Sequence, residues 1–114
     1  MSDIKSDYYF IVNPRAGSGK TMYKWLPVEK RLEMLGISFV TEMTDHKRHA
    51  MELAWDAAGH GYRRIIAVGG DGSLHEVYNG VCKWCFAHGV PTEEFYIGVI
   101  PIGSGNDWIK SLGV

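Results

Sequence analysis

Four short apolar runs alternate with helical stretches, and that order restricts the chain to a parallel sheet flanked by helices on both faces. The runs are Tyr8 to Val12, Ile37 to Val40, Ile65 to Val68 and Phe95 to Ile100. The first is rich in β-formers throughout, as expected of a strand buried on both sides. Between strands one and two, Gly19 to Leu35 reads as a helix with Trp25, Val28, Leu32 and Leu35 on one face. Pro27, which has no amide to donate, is predicted to kink or restart it, and Gly36 to stop it. A second helix is predicted from Thr44-Asp45, with Ala50, Leu53, Ala54, Ala57 and Ala58 as its apolar stripe. The third begins near Ser73 and carries Leu74, Val77, Tyr78, Val81, Cys82 and Cys85 on one face, and a short last helix starts near Ser104. Without internal repeat or linker, residues 1–114 form one α/β, Rossmann-like domain.

Three of the four strands run into a glycine-rich turn that opens a helix. The turns are Asn13-Pro14-Arg15-Ala16-Gly17-Ser18-Gly19-Lys20, Gly69-Gly70-Asp71-Gly72-Ser73 and Gly103-Ser104-Gly105-Asn106-Asp107. In a parallel sheet all three leave from the carboxyl edge, where open α/β folds bind ligands. Glycine lets backbone amides approach a ligand, and a helix N-terminus favours negative charge. Several such turns at one edge describe a cradle for a polyphosphate.

Each turn has a plainer reading when taken alone. Ser73-x-x-Glu76 and Ser104-x-x-Asp107 have the spacing of capping boxes, which need no ligand. Gly17-Ser18-Gly19 and Gly103-Ser104-Gly105 each begin a dinucleotide fingerprint but lack its third glycine. Gly19-Lys20-Thr21 imitates the end of a P-loop, yet Pro14 stands where that motif needs its first glycine. Asp71 is the residue that capping leaves over. A carboxylate between glycines, beside a phosphate site, calls for a metal or a proton-transfer role, the alternative being an Asx-turn onto its own backbone.

The remaining composition excludes several classes. A formal charge of −1 gives no broad attraction to nucleic acid, and His46-Lys47-Arg48-His49 is too small a basic patch to change that. No apolar run reaches the length of a membrane span, and the polar start, Met1-Ser2-Asp3, does not read as a signal peptide. Cys82 and Cys85 are the two cysteines, so no disulfide framework is expected and a reducing cytoplasm suits the chain. Their C-x-x-C spacing and His46-x-x-His49 both suggest zinc. The cysteines, however, fall on a helical apolar stripe and the histidines precede them, so no metal ligands are assigned.

In this order the three turns, with Leu74-His75-Glu76-Val77 and Asn79-Gly80 after the second and Pro101-Ile102 before the third, resemble the signature of the diacylglycerol kinase catalytic-domain family. That family includes bacterial lipid kinases, sphingosine kinases and ceramide kinases. The resemblance implies ATP with Mg²⁺ as cofactors and a lipid hydroxyl as acceptor. It implies nucleotide contacts at Asn13, Pro14, Arg15, Ala16, Gly17 and Thr44, phosphate contacts at Gly69, Gly70, Asp71, Gly72, Ser73, Leu74 and His75, and further contacts at Gly103 and Ser104. Ser73 and Ser104 stand where the family usually has threonine, and both keep the hydroxyl. Asp71 matches the acid assigned to general-base or metal-organising work, while Glu76 and Asn106 match common positions. By the same resemblance the chain is the N-terminal domain of a two-domain lipid kinase, truncated before a β-rich domain that holds the lipid. The enzyme would then work in the cytoplasm, peripherally at a membrane surface, with self-association left open. An NAD kinase-like enzyme and a non-catalytic nucleotide-binding module are the alternatives.

Overall fold

The structure, a computed structural model of the chain, describes residues 5–101. Its strands are β1 (Lys5–Val12), β2 (Phe39–Met43), β3 (Tyr62–Gly69) and β4 (Tyr96–Pro101). All pair in parallel, in the order β2-β1-β3-β4. The helices are the single turn α1 (Ala16–Gly19), then α2 (Thr21–Met34), α3 (His49–Gly59) and α4 (Asp71–His88), with a 3₁₀ turn at Thr92–Glu94 before β4. The step from β1 to β2 runs one way across the sheet and the later steps run the other. Right-handed crossovers therefore put α2 on one face and α3 with α4 on the opposite face.

Alternation within the strands supplies both cores. Phe10, Val12, Ile66, Val68 and Ile100 pack beneath Trp25 and Val28 of α2. Tyr9, Ile11, Ile65 and Ala67 pack beneath Ala50, Ala54, Ala57 and Ala58 of α3 and Val77, Val81, Trp84 and Cys85 of α4. The predicted alanine stripe thus lies buried, with Leu53 packed against it. It lets α3 and α4 come together closely: a Cβ on Gly80 would stand 2.4 Å from the Met51 carbonyl oxygen and 3.0 Å from Ala54 Cβ.

Several boundaries move. α2 continues through Pro27, which is exposed, as is Tyr23, whose carbonyl loses its helical donor there. Gly36 ends that helix as predicted, with Ile37 N–H donating to Leu32 O (3.1 Å). Leu35 lies just beyond α2 and is exposed rather than packed. The second strand starts at Phe39, not Ile37. The second predicted helix does not start at Thr44-Asp45. Arg48 adopts a left-handed conformation (φ 66°), which holds the chain in a turn until α3 begins at His49. α4 starts at Asp71, two residues before the predicted position, and its inner face includes Trp84, while Tyr78 is exposed and Cys82 half-buried. The predicted helix from Ser104 lies outside the described residues.

Among the described residues, Arg63 is the buried charge. Its guanidinium donates to the Ala58 and Tyr62 carbonyls (both 3.1 Å) and meets Glu94 Oε1 at 3.5 Å. It also lies over the Phe95 and Trp84 rings, at 4.5 and 5.2 Å from their centroids, so both its charge and its planar face are matched.

Candidate functional site

The strand order reverses between β1 and β3, the place where two neighbouring loops diverge to opposite faces and leave a crevice at the carboxyl edge. Val12 pairs there with Val68 on one side and Met43 on the other, and Gly69 pairs with Pro101. The Asn13 turn, the Thr44 segment and the Gly69-Gly70 turn consequently leave the sheet at the same edge. β4 also ends at this edge, at Pro101, and Gly103 and Ser104 lie outside the described residues.

Local bonds fix the first turn. Asn13 N–H donates to Val68 O (2.9 Å), and Asn13 Oδ1 accepts from Arg15 N–H (3.0 Å), an Asx-type bond two residues on. Pro14 and Arg15 complete the turn, and the Ala16 N–H reaches back to Asn13 O (3.2 Å) to open α1, which includes Gly17. Thr21 is fully buried, its hydroxyl donating to Ala16 O (2.8 Å). It braces this turn from inside and is not presented as a P-loop hydroxyl would be. Thr44 N–H donates to Val12 O (2.9 Å), and Arg15 Nη2 to Asp45 O (3.3 Å), so the segment after β2 is tied to the same turn.

The second turn is tighter. Gly69 ends β3 at φ 158°, and a Cβ there would lie 2.8 Å from Ser73 Oγ and 3.3 Å from Asn13 Cβ. Only hydrogen fits between the two turns at this point. Gly70 caps α4 through its backbone: its carbonyl accepts from Ser73 N–H (3.1 Å) and Leu74 N–H (3.3 Å). The amides of Asp71 and Gly72 are therefore left at the helix end, and the space in front of the Gly70 and Gly72 α-carbons is open. Ser73 is in the third helical position and does not cap the helix, which corrects the capping-box reading. It is buried and accepts a hydrogen bond from Asn13 Nδ2 (3.4 Å). That contact joins the two turns across sixty residues of chain.

Of the predicted residues, Asn13, Arg15, Thr44 and Ser73 line one hollow and Asp71, Leu74 and His75 another, while Pro14, Ala16, Gly69, Gly70 and Gly72 line neither. One, of about 180 Å³, is lined by Asn13, Arg15, Thr44, Asp45, His46, Lys47, Ser73 and Glu76. It is polar and on the scale of a phosphate chain. The other, of about 690 Å³, runs from Asp71 along Leu74, His75, Tyr78 and Cys82 to Phe95 and Ile97 and is mainly apolar. Asp71 stands at its end, exposed, and its carboxylate bonds to none of the described residues, so the Asx-turn alternative is not realised. The favourable helix end is the interaction the fold offers this charge.

Sequence reasoning did not assign Asp45, His46 or Lys47 to the site, and all three line the smaller hollow. Asp45 and His46 are brought there by the left-handed turn at Arg48, which the local capping pattern did not announce. The Asp45 carboxyl is held below its ordinary range, first by its hydrogen bond with His46, and the His46 imidazole is raised, first by Asp45 and then by Glu52. Gly80 was legible as a glycine inside a helix, a position that either costs stability or permits a close approach. Cys85 is buried, which pushes its thiol upward and suits a packing role.

Residues 7–114 match the family described as the diacylglycerol kinase catalytic domain. The chain is 34% identical over 104 residues to diacylglycerol kinase from Bacillus subtilis (strain 168), covering 91% of this chain and 32% of that protein. It is 33% identical over 113 residues to sphingosine kinase 1 from Homo sapiens, covering 90% and 26%. A crystal structure of a diacylglycerol kinase from Bacillus anthracis str. Sterne superposes with a TM-score of 0.61 at 25% identity, covering 95% of this chain and 37% of that one. The chain spans about a third or less of the curated relatives' length. Among the described residues no helix is long and apolar enough to cross a membrane.

Proposed function

Since the chain belongs to the diacylglycerol kinase catalytic-domain family, we propose that it is the ATP-binding half of a lipid kinase, Rossmann-like in fold and N-terminal to a β-rich acceptor domain. The observation that carries this reading is the junction of the Asn13 turn with the start of α4 at the strand-order reversal. A Cβ would fill that junction at Gly69, whereas Gly70 and Gly72 leave their backbone approachable. A polyphosphate there meets the free amides and positive end of an 18-residue helix. Arg15 and Lys47 add positive charge around it. Gly103 and Ser104 would close the cradle from the β4 side.

Mg²⁺ fits the oxygen donors present, since Glu76 lines the cradle and Asp71, beside it, bonds to none of the described residues. When bound it neutralises charge on the phosphate oxygens. The chain's own residues then divide the work. The turn of Asn13 to Gly17, Thr44 and the first turn of α4 orient the γ-phosphoryl group. An acceptor hydroxyl arriving along the apolar hollow meets Asp71 at its end. The hydroxyl oxygen bonds to the γ-phosphorus, the bond to the bridging oxygen breaks, ADP leaves, and the hydroxyl proton passes to the Asp71 carboxylate. The full enzyme would act as a peripheral protein on the cytoplasmic side of a membrane.

Calorimetric titration with ATP and Mg²⁺ tests the cradle. Saturable binding that Asn13→Ala and Ser73→Ala each weaken supports it, and binding unaffected by both refutes it. Binding without phosphate transfer to any lipid, measured on protein carrying the acceptor domain, would instead make the chain a nucleotide-binding module.

A further inference from the structure

We propose that Asp45, His46 and His49 form a binding site for a divalent cation of the zinc class at the rim of the polar hollow. One ligand atom from each of the three residues lies within 4.8 Å of the others. Asp45 Oδ1 is 3.3 Å from His49 Nδ1 and in contact with His46 Nδ1. Bonds of about 2.0–2.1 Å to a tetrahedral ion place its ligand atoms roughly 3.3 Å apart. The carboxylate oxygen and the His49 nitrogen already stand at that separation, and a modest ring rotation brings the His46 nitrogen to the third corner.

In the sequence Asp45 directly precedes His46, and His49 follows three residues later, but the pattern alone does not turn the three side chains toward one point. The fold supplies their convergence. Because Arg48 turns the chain in the left-handed region, Asp45 folds back over the start of α3 instead of continuing a helix. The two imidazoles consequently stack at 4.2 Å with 17° between their planes, and both contact the same carboxylate. Solvent reaches the site, since the His46 and Asp45 side chains are 52% and 78% exposed.

Donor chemistry selects the ion. Two imidazoles and one carboxylate suit zinc and its neighbours, whereas Mg²⁺ prefers oxygen alone. Glu52 Oε2, 3.4 Å from His46 Nε2, adds favourable charge. Arg15 and Lys47 line the hollow and oppose it. Binding displaces the Asp45 amide, which now donates to His49 Nδ1 at 3.0 Å. Three protein ligands leave a fourth position open toward the hollow. The site shares the rim of the hollow with the kinase reading, but it needs neither nucleotide nor Asp71 and is tested without them.

The test is titration of the chain with Zn²⁺ by calorimetry and with Co²⁺ by visible absorption, at neutral pH and without nucleotide. One ion should bind with micromolar affinity and give the intense visible bands of tetrahedral cobalt. His46→Gln and His49→Gln should each weaken binding by about tenfold or more, with unchanged circular dichroism. Cys82→Ser should leave it intact. Affinity weaker than about 1 mM, affinity insensitive to both histidine substitutions, or a sulfur-to-cobalt charge-transfer band would overturn the proposal.

Discussion

Replacing Gly80 with Ala should destabilise the domain even though alanine is the better helix former. At this position the new Cβ meets the Met51 carbonyl oxygen at 2.4 Å and Ala54 Cβ at 3.0 Å. Ordinary carbon–oxygen contacts begin at about 3.3 Å, so the two helices must separate locally by roughly 0.9 Å. The obstacle is backbone in the first turn of α3 and cannot rotate aside. A gap of that size forfeits a quarter to a half of each adjacent dispersion contact, and here the neighbours are the packed Ala54, Val77 and Val81. Overpacking of this kind costs about 3 kcal/mol at the upper end of its usual range, and the gain in helix propensity returns about 1. The net loss is about 2 kcal/mol, or roughly 8 °C in Tm for a chain of this size. Gly72→Ala is the internal control. It lies in the same helix with open space around it, so propensity alone should apply and stability should rise by up to about 1 kcal/mol. Urea denaturation followed by circular dichroism gives both values. If Gly80→Ala is as stable as the parent, or more so, α3 and α4 are not packed as described.

Other perturbations separate the site from its scaffold. Asp71→Asn, assayed in protein that carries the acceptor domain, should lower kcat by about a hundredfold or more while ATP affinity holds or improves; a near-normal kcat would make Asp71 structural. Gly69→Ala should reduce ATP binding by driving Ser73 away from Asn13, and calorimetry showing parental affinity would refute the tight junction. Tyr9, whose phenol is pushed up to about 12 first by burial and then by Glu42, makes stability fall as pH rises from about 10 to 12, because the unfolded chain releases that proton first. Tyr9→Phe should flatten this part of the pH–stability curve by about 1–2 kcal/mol after allowance for screening, and an unchanged curve would show that the phenol is not the cause. Arg63→Ala should cost about 3 kcal/mol through lost packing on Trp84 and Phe95 and loss of the bonds to the Ala58 and Tyr62 carbonyls, measured by the same urea titration.

The parallel sheet, its helices on both faces and the glycine turns at strand ends were legible in the sequence because each depends on neighbours within a few residues. Apolar runs, the Ala50-to-Ala58 stripe and the stop at Gly36 all express local periodicity or local backbone bonding. The turns after β1 and β3 were legible for the same reason, together with the order in which they recur. What they touch was not. The bond from Asn13 to Ser73 spans sixty residues, and it converts an apparent helix cap into a clamp between two loops. Gly70, not Ser73, ends up at the cap because the close approach at Gly69 commits the serine hydroxyl to that junction. At Thr44-Asp45 the local capping pattern predicted a helix, yet the chain turns at Arg48 and brings Asp45 against two histidines. Local propensity is worth a few tenths of a kcal/mol per residue, and packing one segment on another readily outweighs it. The sequence by itself therefore determined which elements form and which edge carries the loops, while tertiary packing decided where helices begin and which side chains meet.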